Sequence, residues 1–267
     1  MINYDAKFAP KQIVGHPYGA DNGLFSPWKI AANSSNGDLY IVDKPNHTIH
    51  VLDKYRQYLR PFQCGADRES FAPQDIAVTD NNLVAASDTL HKRIVLFDLQ
   101  GRMVSQITRD EGRFVFPVGV AYWRGRLYIT DFRRVQVYDT VDGRFVQSFS
   151  HADVKCLWGI FVDDYGILVS DPLGNRIYSF SLHGRLLWKA GRRTDIDVLS
   201  KPCGLSRDPL GYVLVADNGN ERVQVFTPEG AHIHSMIRVE GNPTDVIVQG
   251  DGSVVVCLQD YDGIVVY

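Results

Sequence analysis

Asp217-Asn-Gly-Asn-Glu-Arg-Val-Gln-Val-Phe226 is a polar loop that runs into an alternating strand, and degraded copies of it recur along the chain. Each copy follows an apolar run that closes on Asp: Leu39-Tyr-Ile-Val-Asp43, Val84-Ala-Ala-Ser-Asp88, Tyr128-Ile-Thr-Asp131, Leu168-Val-Ser-Asp171 and Leu214-Val-Ala-Asp217. A sixth run, Val254-Val-Val-Cys-Leu258, carries Leu in that place, and consecutive copies stand 45, 43, 40, 46 and 41 residues apart. A period in the forties with several short strands per unit is the signature of a propeller blade. The expectation is an all-β protein, a six-bladed β-propeller, with residues 1–267 forming one domain.

Composition agrees with that reading. Twenty-three Gly and twelve Pro spread among aromatic and β-branched residues favour many short strands, so almost no helix is expected. No apolar stretch approaches the roughly 20 residues that cross a bilayer, and Met1-Ile-Asn-Tyr-Asp-Ala-Lys lacks a signal-peptide core. Cys64, Cys156, Cys203 and Cys257 form no C-x-x-C pair, which suits reduced thiols in a cytoplasmic protein. A formal net charge of -3 argues against wholesale polyanion binding but says nothing of how charge divides between faces.

Unit five gives the blade plan in full. Pro202-Cys-Gly-Leu205 begins strand a, Gly211 turns into strand b at Tyr212 to Ala216, and Asp217 to Arg222 form the b–c loop. Strand c is Val223 to Phe226, and strand d is Ala231 to Ile237. The last unit stops at Ile264-Val-Val-Tyr267, a strand c with no strand d behind it. Lys11-Gln-Ile-Val14 is expected to supply the missing strand, closing the ring and removing exposed sheet edges.

Catalytic signatures are absent. Strand a, which lines a propeller's channel, reads Ile30-Ala-Ala, Ile76-Ala-Val, Val120-Ala-Tyr, Ile160-Phe-Val, Leu205-Ser and Val246-Ile-Val, without His, Glu or Asp. Of eight His only His47 and His91 share a repeat position, too few ligands for a metal centre. No metal, cofactor or enzymatic activity is expected. The recurring pairs Asp88 with Arg93, Asp131 with Arg134, Asp171 with Arg176 and Asp217 with Arg222 read as structural ion pairs. Leu258 and Gly263 replace both partners together in the sixth unit.

Function is sought where blades differ, on the face made by the b–c and d–a loops. Trp28, Lys29 and His47 come from blade 1, His91 and Lys92 from blade 2, Phe132 and Arg133 from blade 3, and Lys155, Trp158, Asn175 and Arg176 from blade 4. Arg68, Arg109, Arg113, Arg192 and Arg193 lie in loops between blades, while Glu221, Glu240, Asp260 and Asp262 gather near blades 5 and 6. A basic half-ring can attract phosphates, and interleaved aromatic rings can stack unpaired bases. The plainer reading of Trp28 and Trp158 is that they plug the space above the channel.

Asn220-Glu-Arg-Val-Gln-Val-Phe226 after Ala216-Asp217, Asn175-Arg-Ile177 after Asp171, and Asn46-His-Thr-Ile49 after Asp43 resemble the NHL repeat. With the Pro-x-Gly/Asp-Ile/Val start of the units, the resemblance runs from about Lys11 to Tyr267, and six repeats with terminal closure are similar to the C-terminal domain of TRIM-NHL proteins. That resemblance implies a domain of a post-transcriptional repressor that binds single-stranded or hairpin RNA on the loop face through Lys29, His47, His91, Lys92, Phe132, Arg133, Trp158, Asn175 and Arg176. The propeller itself is expected to be monomeric, without a membrane partner. Any ubiquitin-ligase activity would reside in an N-terminal region outside this sequence. The alternative is a platform for protein partners or co-repressors without RNA binding. A third reading, a channel lyase, would require bound zinc.

Overall fold

A computed structural model describes residues 9–15, 26–62, 71–108, 114–191, 198–259 and 263–267. Strand β1 (Gln12–Gly15) comes first. Blade 1 is β2 (Pro27–Ala32), β3 (Leu39–Asp43), β4 (Thr48–Leu52) and β5 (Tyr58–Phe62). Blade 2 is β6 (Pro73–Val78), β7 (Leu83–Asp88), β8 (Arg93–Asp98) and β9 (Met103–Ile107). Blade 3 is β10 (Pro117–Trp123), β11 (Arg126–Asp131), β12 (Arg134–Asp139) and β13 (Phe145–Phe149). Blade 4 is β14 (Ile160–Asp163), β15 (Gly166–Asp171), β16 (Arg176–Phe180) and β17 (Leu186–Ala190). Blade 5 is β18 (Pro202–Arg207), β19 (Val213–Asp217), β20 (Arg222–Phe226) and β21 (His232–Arg238). Blade 6 contributes β22 (Pro243–Val248), β23 (Val254–Leu258) and β24 (Gly263–Val266).

The last sheet runs β1-β24-β23-β22, so the N-terminal strand completes blade 6 as expected. Ile13 pairs with Val265 and Val14 with Ile264, antiparallel. Every sheet is a four-stranded antiparallel unit. The described residues hold no α-helix and only short 3-10 turns such as Asn218–Asn220.

Second strands are buried from end to end, as in Leu39–Asp43 and Val213–Asp217, because a neighbouring blade covers each of their faces. That is why the repeat shows as continuous apolar runs there and as alternation only further out. The outermost strand of blade 2 is exposed at Met103, Val104, Ser105 and Gln106. The core is a ring of inter-blade clusters rather than one central mass. Tyr40, Val42, Val51 and Phe62 of blade 1 pack on Ile76, Val84, Val95 and Phe97 of blade 2, and blades 5 and 6 pack Val223, Val225 and Ile237 on Val246, Val256 and Val265. Each such side chain contributes about 1.5–3 kcal/mol by leaving water.

Polar bonds stitch the blades together near the axis. Thr130 accepts from Gly119 N–H of its own blade and donates to the Trp158 carbonyl of the next at 2.7 Å. Ser170 repeats the device, accepting from Gly159 N–H and donating to the Cys203 carbonyl. The blades approach so closely that a Cβ on Gly119 would lie 2.3 Å from the Trp158 oxygen, and one on Gly159 2.4 Å from the Cys203 oxygen. Glycine is therefore required at both positions.

Candidate nucleic-acid interface and channel

The repeated Asp residues anchor the loop face. Cross-strand pairs Asp88 with Arg93, Asp131 with Arg134, Asp171 with Arg176 and Asp217 with Arg222 close the b–c loops, and Leu258 faces Gly263 in the sixth. Each Asp is buried and takes several donors. Asp131 accepts from Val115 and Phe116 N–H at 2.8 and 2.6 Å, and from Arg134 and Gln136. Asp217 accepts from Ser200 N–H, Asn220 and Arg222 at 2.7, 2.8 and 2.7 Å. Incoming d–a loop and b–c loop are thus tied to one carboxylate.

Three of the four expected Asp–Arg ion pairs form, at Asp88, Asp131 and Asp217. The fourth is corrected: Arg176 turns to Asp153 at 3.0 Å, while Asp171 takes backbone N–H bonds from Lys155, Cys156 and Gly174. Three amide donors already satisfy that carboxylate, and Asp153 on the preceding loop offers Arg176 a partner shared with Lys189.

Several predicted binding residues occupy fixed structural slots. His91 Nδ1 lies 2.9 Å from Asp88, in the place where Asn46 and Asn220 donate to Asp43 and Asp217. Asn175 accepts from Lys201 N–H at 3.0 Å and so joins blades 4 and 5. Arg133 is exposed, and its Nε donates to the Val154 carbonyl at 2.9 Å. His47, Lys92, Phe132 and Asn175 share one conformation, with φ of 50, 54, 57 and 52°. Asn tolerates this left-handed region, but Lys and Phe are held there at a cost of order 1–3 kcal/mol. His47, Lys92 and Lys155 are exposed, and Phe132 keeps 43% of its surface in water. Arg68, Arg109, Arg113, Arg192, Arg193, Asp260 and Asp262 lie outside the described residues.

Lys29 does not belong to that surface. It is 3% exposed and sits in the channel, 3.3 Å from Asp245 of blade 6 and 3.7 Å from Asp75 of blade 2. The expectation that strand a brings no acid to the channel is corrected by the same two residues. The cause is an irregularity in register after the first Pro of the strand, between Pro27 and Lys29, Pro73 and Ile76, and Pro243 and Asp245. That bulge turns the second residue after Pro toward the axis. In blades 3 to 5 this position is Gly119, Gly159 and Gly204; in blades 6, 1 and 2 it is Asp245, Lys29 and Asp75. Both carboxylates also bridge blades, Asp75 accepting from Val120 N–H at 3.3 Å and Asp245 from Ile30 N–H at 3.0 Å.

Burial works against every charge in this triad. It would lower the Lys29 pKa, but Asp245 and Asp75 outweigh it and raise the value well above the usual lysine range. Burial lifts Asp75 to about 7 against the pull of Lys29, with the Asp245 charge adding to the rise, and burial raises Asp245 also. One ammonium does not offset two buried carboxylates.

Trp28 and Trp158 meet over the triad's end of the channel, edge to face, with ring centroids 6.5 Å apart. They open blades on opposite sides of the ring, so together they plug the mouth, the plainer of the two readings. Lys44 covers the plug, with Nζ 4.3 Å from the Trp28 ring centroid and 5.9 Å from that of Trp158, and burial lowers its pKa. Neither indole N–H has a hydrogen-bond partner. Among the described residues no three His, Cys, Asp or Glu side chains are grouped to hold a metal ion, and Cys156, Cys203 and Cys257 are free and buried.

Sequence reasoning also passed over Leu90 and Leu173, 70% and 73% exposed in the b–c loops on either side of Phe132. Both stand within two residues of the repeat Asp, and their apolar character in a polar loop was the available signal.

These features define a six-bladed β-propeller built on NHL repeats, and the NHL repeat family model matches residues 26–52, the first three strands of blade 1. Among curated proteins the chain is similar to Protein brain tumor of Drosophila melanogaster, 29% identical over 128 residues, which is 45% of this chain and 12% of that protein's length. Among solved structures it resembles a streptogramin B lyase, with a TM-score of 0.68, 12% identity and 96% of both chains covered. It also resembles virginiamycin B lyase from Staphylococcus aureus, with a TM-score of 0.68, 13% identity, and 92% of this chain and 85% of that one covered. At such identities the structural likeness is one of fold. No helix among the described residues is long and apolar enough to cross a membrane.

Proposed function

We propose that the loop face of blades 2 to 4 binds single-stranded or looped RNA, as part of a cytoplasmic post-transcriptional repressor, and performs no chemistry. One observation carries this reading. Lys92, Arg133 and Lys155 stand exposed on successive blades beside the exposed Phe132 ring. Among the described residues of that arc the one carboxylate outside the buried anchors is Asp153, which Arg176 and Lys189 already hold. The result is a local positive excess on a protein of formal net charge -3. The left-handed backbone at Lys92 and Phe132 supports it too, since strain of this kind collects at functional positions.

Phosphate neutralisation supplies affinity, and Phe132 stacks an unpaired base, a contact worth about 1–3 kcal/mol. Three phosphate contacts imply a log–log salt slope of roughly -2, at about -0.7 per contact for single strands. A titration of single-stranded RNA across a salt series tests this: a slope near zero would remove the electrostatic mechanism.

A second reading, a protein-partner platform, is favoured by Leu90 and Leu173, whose exposure suits an apolar segment better than a phosphate backbone. Partner capture would then survive high salt and fail in a Leu90→Ser, Leu173→Ser variant.

A further inference from the structure

The central channel is a blind funnel distinct from the loop face. Trp28 and Trp158 close it at one end, and directly inside them lies the Lys29–Asp75–Asp245 triad. Beyond the triad the walls are Ile30, Ala31, Ile76, Val120, Ile160 and Leu205, one inner strand from each of five blades, with Ile247 completing the ring. Exposure rises along the inner strand from buried Lys29 and Ile30 through half-buried Ala31 to exposed Ala32, so the funnel opens on the a–b turn face. At about 240 Å³ it is smaller than the roughly 300–1,000 Å³ clefts that take drug-sized ligands, and its occupant has few heavy atoms.

Charge decides the kind of occupant. Lys29 makes one hydrogen bond, to Asp245, and a longer ion pair to Asp75. Asp75 spends one oxygen on Ile76 N–H and the other on Val120 N–H, which leaves acceptor capacity on a carboxylate that lines the cavity. Two carboxylates against one ammonium leave the closed end with an excess negative charge, in a place where burial makes that charge costly. Apolar walls and an anionic floor together select a guest with an apolar body and a positive head.

We propose that the channel is a binding pocket for a small organic cation, a primary ammonium on a short alkyl body, with the head donating to Asp75 and Asp245 and the body against Ala31, Val120 and Ile160. The anion alternative fails on net charge, and a neutral alcohol leaves the excess charge in place.

Isothermal titration of the whole chain at neutral pH with n-butylammonium chloride, n-butanol and sodium butyrate tests the assignment. The ammonium is expected to bind one to one and roughly tenfold or more tightly than the alcohol, with no butyrate binding. An Ala32→Trp variant, which blocks the funnel mouth at an exposed position and leaves the triad intact, is expected to abolish that binding with an unchanged circular dichroism spectrum. Absence of ammonium binding, equal affinity for ammonium and alcohol, or binding that survives Ala32→Trp would each overturn the proposal.

Discussion

Trp28 and Trp158 stack edge to face across the ring axis, 6.5 Å between centroids, although each opens the first strand of a blade on the far side from the other. Such a contact links blades that share no sheet edge. Aromatic pairs of this kind couple by about 0.5–1.5 kcal/mol beyond their buried area. A double-mutant cycle with Trp28→Ala and Trp158→Ala, read by urea denaturation, is expected to return a coupling in that range. Additive losses would mean that the rings are neighbours without interaction.

Lys29→Met should be among the most damaging single changes, because it strands two carboxylates in a dry site. Breaking a buried ion pair from one side costs about 3–5 kcal/mol. Adding Asp75→Asn to Lys29→Met is expected to recover part of the loss in the same denaturation assay, whereas Asp75→Asn at an exposed, independent site would only add to it.

The triad also sets a pH dependence. Folded Asp75 keeps its proton up to about 7, while in the unfolded chain it releases it near 3.8. Between those values the folded state binds more protons than the unfolded one, so this group's contribution falls as pH rises through the window and is greatest below it. Urea midpoints between pH 4.5 and 7.5 should therefore fall more for the natural sequence than for Asp75→Asn. Parallel profiles would contradict the assignment.

The carboxylate at the head of each b–c loop matters more than its arginine. Asp131→Ala leaves Val115 and Phe116 N–H groups and Gln136 without their acceptor, at about 1–3 kcal/mol for each buried donor. Arg134→Ala removes one partly exposed partner and is expected to cost about 1 kcal/mol. Thermal melts of the two variants give the order directly.

Removal of residues 1–15 takes away the strand that covers β24 and exposes its edge along Gly263 to Val266. A lower melting temperature and increased association in light scattering are expected. Unchanged values would show that the closure adds nothing.

Much of the architecture is legible because Asp43, Asp88, Asp131, Asp171 and Asp217 each perform the same anchoring task, so their spacing survives in the chain. The missing fourth strand after Val266 likewise pointed to Gln12–Gly15. The loop face is less legible. Lys29 follows Trp28 in sequence and read as a surface cation, but the bulge after Pro27 rotates it into the channel. Its partners were visible only by comparing one position around the ring, where Asp245, Lys29 and Asp75 stand in adjacent blades and glycine in the other three. His91 misled for the opposite reason: it fills the slot of a structural Asn, and the Asn46 and Asn220 equivalents carried that message. Arg176 chose between two acids, and strand register alone does not rank them.

The central claim is tested most directly by equilibrium binding of a random single-stranded RNA pool to the chain and to its Lys92→Ala, Arg133→Ala variant at low salt. Both side chains are exposed, so the variant is expected to fold with an unchanged melting temperature. Saturable binding that weakens roughly tenfold or more in the variant is the expected result, two lost phosphate contacts at about 1 kcal/mol each. No saturable binding, or equal affinity for the two proteins, would contradict it.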